Sequence, residues 1–194
     1  MAKVRGSAIL GTLDFAKTRF GEEAARVLVE SLPAVEVATL LEGGGIAPHG
    51  WYQTELLADL TTRLDCTFGR GDLGLAREAG KHVAFQDVSR FFKWLMRLGG
   101  PALVFNRAGS VWNNYYDDGR YLVESVGEGS GALLIEGSSS ACPVICKRIE
   151  GWMERALELT IGKDARPTIQ ETDHVRRDLP GGPSYCRFVA QWTR

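Results

Sequence analysis

The sequence contains no long apolar run and no excess of charge of one sign. Nowhere do ~18 apolar residues follow one another, so no transmembrane helix is expected. The first residues mix apolar and polar types, and no signal-peptide core or cleavage pattern follows them. Basic and acidic side chains nearly balance, 23 against 24, for a formal net charge of −1. We therefore expect a cytoplasmic protein without membrane insertion. Nucleic-acid binding is not expected either, since it normally requires a basic surface.

Groups that could form a known catalytic arrangement are also scarce. The chain has three histidines, and it contains neither a nucleophile elbow nor a His-Glu-x-x-His helix. The glycines from Gly69 to Gly74 match the spacing of a dinucleotide-binding loop, but a helical pattern precedes them where that loop requires a strand. These observations predict a protein that is not an enzyme.

The bulk composition is that of an ordinary globular protein. Its 194 residues are 44% hydrophobic and 24% charged, which is enough apolar material for a substantial core without disulfides or metals. We expect one domain spanning residues 1–194.

Helical spacing of apolar residues dominates the first half and returns once later in the chain. It is clearest in residues 51–64, 86–98 and 141–161. Gly99, Gly100 and Pro101 are predicted to end the second of these helices, because glycine and proline together commonly follow a helix C-terminus.

Short segments rich in aromatic and β-branched residues follow, which is typical of strands. The predicted strands of a meander are 103–105, 111–116, 120–126 and 131–136, and 168–175 with 185–192 form a closing hairpin. The predicted class is α+β: a helical N-terminal half packed on an antiparallel sheet, formed by the meander, one long helix and the closing hairpin.

Aromatic side chains are dense near the junction of the helices and the predicted sheet. Such residues either fill a core or line a concave, largely apolar ligand site. On the second interpretation, the candidate ligand-binding residues are Phe91, Phe92, Trp94 and Trp112.

Cysteines, a histidine and a carboxylate recur near the C-terminus. Cys142 and Cys146 lie four residues apart at a helix start, and Glu171, His174 and Cys186 lie on the closing hairpin. Thiolate, imidazole and carboxylate together suit tetrahedral zinc. The spacing leaves buried free thiols as the alternative.

The segment from Cys142 to Trp192 resembles the C-terminal half of the 4-vinyl-reductase-like ligand-binding domain. This family shares its fold with heme nitric-oxide-binding domains and TRAPP trafficking subunits. The resemblance lies in Cys142, Glu150-Gly151-Trp152, the strand Gln170 to His174, and Tyr185-Cys186-Arg187-Phe188. It implies a structural zinc ion held by Cys142, Glu171, His174 and Cys186. Cys146 lies one helical turn further on, so we expect it to pack as a small apolar residue instead.

Heme is not expected from the same resemblance. The heme-binding branch of the fold uses a Tyr-x-Ser-x-Arg clamp, and the stretch from Tyr116 to Arg120 does not supply it.

Two functions remain open. The first is a non-catalytic regulatory domain that binds a small, largely apolar ligand and signals to a partner protein by favouring one conformation. The second is a ligand-free scaffold subunit for protein–protein interaction in a cytoplasmic complex, as in the TRAPP relatives. Such a subunit would expose a contiguous apolar patch or form a homodimer.

Overall fold

A computed structural model describes residues 2–34, 45–91, 93–138, 142–161, 166–175 and 185–193, without the side chains of 87–99 and 173–175. Six helices lie in these residues: α1 (Gly6–Phe20), α2 (Glu22–Glu30), α3 (Thr54–Phe68), α4 (Gly74–Phe91), α5 (Lys93–Tyr115) and α6 (Pro143–Ile161). The strands are β1 (Lys3–Arg5), β2 (Trp51–Gln53), β3 (Arg120–Val126), β4 (Ser130–Glu136), β5 (Thr168–Val175) and β6 (Tyr185–Gln191).

The strands form two antiparallel sheets, and the α+β prediction is confirmed. β1 pairs with β2, and the larger sheet has the order β3-β4-β6-β5. The closing hairpin of β5 and β6 is also confirmed, with Ile169 opposite Ala190 in its ladder. Buried and half-buried residues alternate along β6, as expected for a sheet with one face on the core.

The predicted strands at 103–105 and 111–116 were wrong, because α5 continues to Tyr115. Gly100 adopts a φ of 63°, and the helix resumes at Pro101 after this kink. Proline is favoured in a first helical turn, where its missing N–H costs nothing. Val104, Ala108 and Trp112 are buried at helical spacing, so the aromatic content of this stretch reflects a core-facing helix.

Two clusters of buried side chains form the core, and α6 contributes to both. The helical cluster contains Leu28, Leu57 and Leu60 together with Ile145 of α6. The sheet cluster contains residues of α5, β4, β5 and β6 packed against Met153 of α6 and its neighbours. Within the described residues, no helix has both the length and the apolar character needed to span a membrane.

α4 and α6 pack backbone against backbone at two glycines. A Cβ atom at Gly80 of α4 would overlap the carbonyl oxygen of Arg148, and one at Gly151 of α6 would overlap that of Arg77. Only glycine therefore permits this helix separation.

We predict that Gly80→Ala and Gly151→Ala each lower the free energy of unfolding by about 1–3 kcal/mol, because the added methyl group forces the two helices apart. Urea denaturation measures the effect. Glu78→Ala, a change to an exposed residue of the same helix, is the control and should remain within ~0.5 kcal/mol. Equal stability of all three variants would contradict the close packing.

Candidate functional site

A cavity of about 70 Å³ lies between the helices and the larger sheet. One water molecule needs ~10–15 Å³ on this measure, so the space holds roughly five waters or one small molecule. Its lining residues come from α1, α4, α5, α6, β3, β4 and the turn after α5: Ala8, Gly80, Val83, Ala108, Val111, Trp112, Tyr115, Tyr116, Tyr121, Ile135, Arg148, Ile149, Trp152 and Met153.

Most of this wall is aliphatic or aromatic. The rings of Trp112 and Tyr116 stack at 4.2 Å between centroids, and the Trp112 indole N–H donates to the carbonyl of Asp118 at 3.0 Å. Trp112, one of the candidate ligand-binding residues, thus lies in the wall. Phe92 and the side chains of Phe91 and Trp94 lie outside the described residues.

Arg148 of α6 is the charged side chain of the cavity wall, and it is only 6% exposed. Its guanidinium donates to the Thr12 hydroxyl at 2.9 Å and approaches the Thr61 hydroxyl and the Ala8 carbonyl at 3.5 Å. These acceptors are all neutral. Burial lowers the pKa of the guanidinium, although arginine keeps its charge in proteins.

Two tyrosines complete the polar part of the wall. Burial raises the pKa of Tyr116 to about 12, while the neighbouring Arg148 acts in the opposite direction. Burial also raises the pKa of Tyr121. Both hydroxyl groups are therefore protonated near neutral pH and can donate hydrogen bonds. The Tyr121 hydroxyl is buried and has no hydrogen-bond partner among the described residues.

Arg148, Tyr116 and Tyr121 were not predicted as site residues from the sequence. A clue existed for Arg148, which lies three residues after Ile145 and four before Trp152. That spacing places a cation on the apolar stripe of the helix, where a charged residue is unusual. No comparable pattern distinguishes the two tyrosines from core residues.

The predicted zinc ligands are only partly brought together. Ligand atoms of Cys146, Glu171 and Cys186 lie within 4.8 Å of one another. Cys146 thus takes the place expected for Cys142. The reason is that Cys142 precedes the first helical residue and packs against the helical cluster instead. The backbone of His174 pairs with Cys186, and its side chain lies outside the described residues.

The sulfur atoms of Cys146 and Cys186 lie 3.3 Å apart in the core. The hydrogen bond between these thiols and their burial raise the pKa of Cys146 well above its usual range. Both thiols are buried in the core, so a reagent in solution does not reach them in the native state.

Comparison with solved structures relates the fold of this chain to that of H-NOX proteins. The Fe(II) unliganded H-NOX protein from K. algicida is 16% identical, with a TM-score of 0.71 over 98% of this chain and 97% of that one. An oxygen-binding H-NOX domain related to soluble guanylate cyclases, in its oxygen complex, is 12% identical, with a TM-score of 0.66 over 98% and 95% of the two chains. A structure on heme redox potential and protein-induced porphyrin distortion gives 11% identity and a TM-score of 0.63 over 96% and 99%.

No family model and no curated protein matches the sequence. The structural likeness at this low identity establishes an H-NOX-like fold. The prediction that the chain shares its fold with heme nitric-oxide-binding domains is thereby confirmed. The narrower 4-vinyl-reductase-like assignment is not confirmed.

The expectation that heme is unlikely was wrong. It rested on the missing Tyr-x-Ser-x-Arg clamp, and neighbours over nearly the whole chain are iron- or heme-associated proteins. The structural zinc ion expected from the sequence has no counterpart in the names of these neighbours.

The described cavity differs in size and lining from what heme needs. A porphyrin is several times larger than a space for roughly five waters. Of the side chains that line this cavity, only those of the tyrosines and Met153 are of types that ligate heme iron. The cavity formed by the described residues does not accommodate a porphyrin.

The thiol pair generates a prediction about cysteine reactivity. In the native protein at pH 8, iodoacetamide should label the exposed Cys66 on the order of a hundredfold faster than Cys146 or Cys186, since both sulfurs are buried and become accessible only by local unfolding. Peptide mass spectrometry over time measures the rates. In urea all sites should react alike, and rapid native labelling of Cys186 would contradict the buried pair.

Proposed function

We propose that this chain is a non-catalytic, ligand-binding regulatory domain. Its cavity would take a small, largely apolar molecule, and a partner protein would sense the occupied state. The observation that carries the proposal is the cavity of about 70 Å³ between the helices and the sheet, with its mainly apolar lining. Concave apolar sites with a few polar groups are the usual form of small-molecule sites.

The position of the cavity offers a way to transmit binding. Its wall joins Ala8 of α1 and Val83 of α4 to Ile135 of β4, which belong to different packing layers. A ligand that contacts both layers stabilises the arrangement in which they fit around it. Such differential stabilisation of one conformation is how binding shifts a population.

The structural neighbours support small-ligand binding within this fold. One of them is an oxygen-binding H-NOX domain related to soluble guanylate cyclases. This chain shares the fold at low identity, so the support concerns the architecture and leaves the ligand to be identified by experiment.

β3 offers a surface for the partner. It lies at the edge of the larger sheet, and its Leu122 and Val123 are 36% and 37% exposed. An edge strand with exposed apolar side chains can pair with another chain.

The proposal predicts that filling the cavity abolishes binding. Ala108 of α5 is buried in the wall, so Ala108→Leu should eliminate the rise in melting temperature caused by toluene, indole or benzyl alcohol, since only a bound ligand stabilises the native state. Ala102→Leu adds the same atoms to an exposed position of the same helix and should leave the rise intact.

Thermal shift and calorimetry on the full chain measure these effects, with hemin as a separate arm read by its visible absorption. If hemin alone binds and gives a Soret band, heme replaces the small apolar molecule in the proposal. If nothing binds, the ligand-binding function is refuted, and the ligand-free interaction subunit becomes the better account.

A further inference from the structure

Among the described residues, each buried charged side chain but one is stabilised by a cation or by backbone N–H groups. In the part of the chain that the structure describes, Asp65, Arg148 and Glu150 are the buried charged side chains. The Asp65 carboxylate accepts the backbone N–H groups of Leu73 and Leu75, each at 2.7 Å, at the start of α4, where the helix dipole favours a negative charge.

Glu150 is also fully compensated. The Lys147 ammonium lies 2.8 Å from its carboxylate, and the Arg77 guanidinium lies 3.9 Å away. The backbone N–H of Glu171 donates to it at 2.8 Å. Although Glu150 is two residues from Arg148, its bonds are all made with other groups.

Arg148 is the exception. No carboxylate among the described residues lies within ion-pair distance of its guanidinium, and its acceptors are two threonine hydroxyls and a carbonyl. A buried cation without an anion is costly, and proteins normally pair such a group. Arg148 and its acceptor residue Ala8 both line the cavity, so a counter-ion could reach the guanidinium from outside the chain there.

A second group on the same cavity has no hydrogen-bond partner among the described residues. The Tyr121 hydroxyl is buried without a hydrogen-bond acceptor among the described residues, and Tyr121 lines the cavity with Arg148. A buried unsatisfied hydroxyl costs free energy that a bound acceptor would recover. Guanidinium and hydroxyl both donate, so both fit an oxyanion.

We infer that the ligand of this cavity is a short monocarboxylic acid with an apolar tail or a single ring, its carboxylate held by Arg148 and the Tyr121 hydroxyl. This inference rests on the proposed ligand-binding function and specifies the ligand class. A single negative charge matches the single cation, whereas a phosphate would bring excess charge into an apolar wall. The tail would lie against Val83, Val111 and Ile149.

The test compares acids with neutral molecules of the same shape. Butyrate and benzoate, against 1-butanol and benzyl alcohol, are titrated into the full chain by calorimetry. The acids should bind between about tenfold and a hundredfold more tightly, the range of a hydrogen bond to a charged group. Inorganic phosphate should not compete. Equal competition by phosphate would overturn the carboxylate assignment.

Arg148→Met keeps the bulk of the side chain and removes its charge. We expect this variant to bind the alcohols as before and to lose the preference for acids. Its melting temperature without ligand should be unchanged or higher, since an uncompensated buried charge is gone. Arg120→Met is the matched control: its side chain is 75% exposed, and the preference should persist there. A persistent preference in Arg148→Met would refute the inference.

Tyr121→Phe provides a second test if Arg148→Met does not fold. It removes only the unpartnered hydroxyl, so the fold should be retained while benzoate binding weakens severalfold relative to benzyl alcohol. Unchanged selectivity would remove Tyr121 from the site. Alcohols that bind as well as acids in the wild type would refute the inference and leave the proposed function standing. Failure of both classes to bind would refute the proposed function itself.

Discussion

The close contact of α4 and α6 at Gly80 and Gly151 is the constraint on which the rest of the structure depends. Because a Cβ at either position would overlap a carbonyl of the other helix, the two backbones touch directly. This contact holds α6 between the helical cluster and the sheet cluster. Gly80 also lines the cavity, so the same contact sets one boundary of the candidate site.

The different faces of α6 then carry different tasks. Ile145 packs into the helical cluster and Met153 into the sheet cluster. Cys146 meets Cys186 of β6, and Glu150 accepts the N–H of Glu171 on β5. Arg148 meets the cavity. α6 thus packs against both layers of the core and provides the charged residue of the cavity. A ligand bound at Arg148 would therefore contact the helix that connects the two layers.

Much of the fold could be predicted from the sequence because its signals are local. The alternation of residues in β6 and the apolar stripe of α6 each identify an element within a few residues. The prediction failed at 103–105 and 111–116, where β-branched and aromatic residues occur in a helix. There the kink at Gly100 and the burial of Trp112 against the sheet depend on tertiary contacts, which override local preference.

The candidate site was harder to predict for the same reason. Trp112 was found because dense aromatics often line cavities. α6 and β3 place Arg148 and Tyr121 on the wall of the same cavity. That Arg148 has no carboxylate partner and the Tyr121 hydroxyl no hydrogen-bond partner among the described residues becomes visible only when the groups around them are known. The exchange of Cys142 and Cys146 likewise depends on the residue at which α6 begins, a boundary that residue spacing does not define.

The central claim is that the carboxylate of a bound ligand is the counter-ion of Arg148. A crystal structure of the benzoate complex tests this claim most directly. The account predicts carboxylate oxygens within about 3.2 Å of the Arg148 guanidinium and of the Tyr121 hydroxyl, which is the usual upper limit for a hydrogen bond. The ring should pack against the apolar residues of the cavity wall. Benzoate bound at the surface, or in the cavity with its carboxylate turned away from Arg148, would contradict the account.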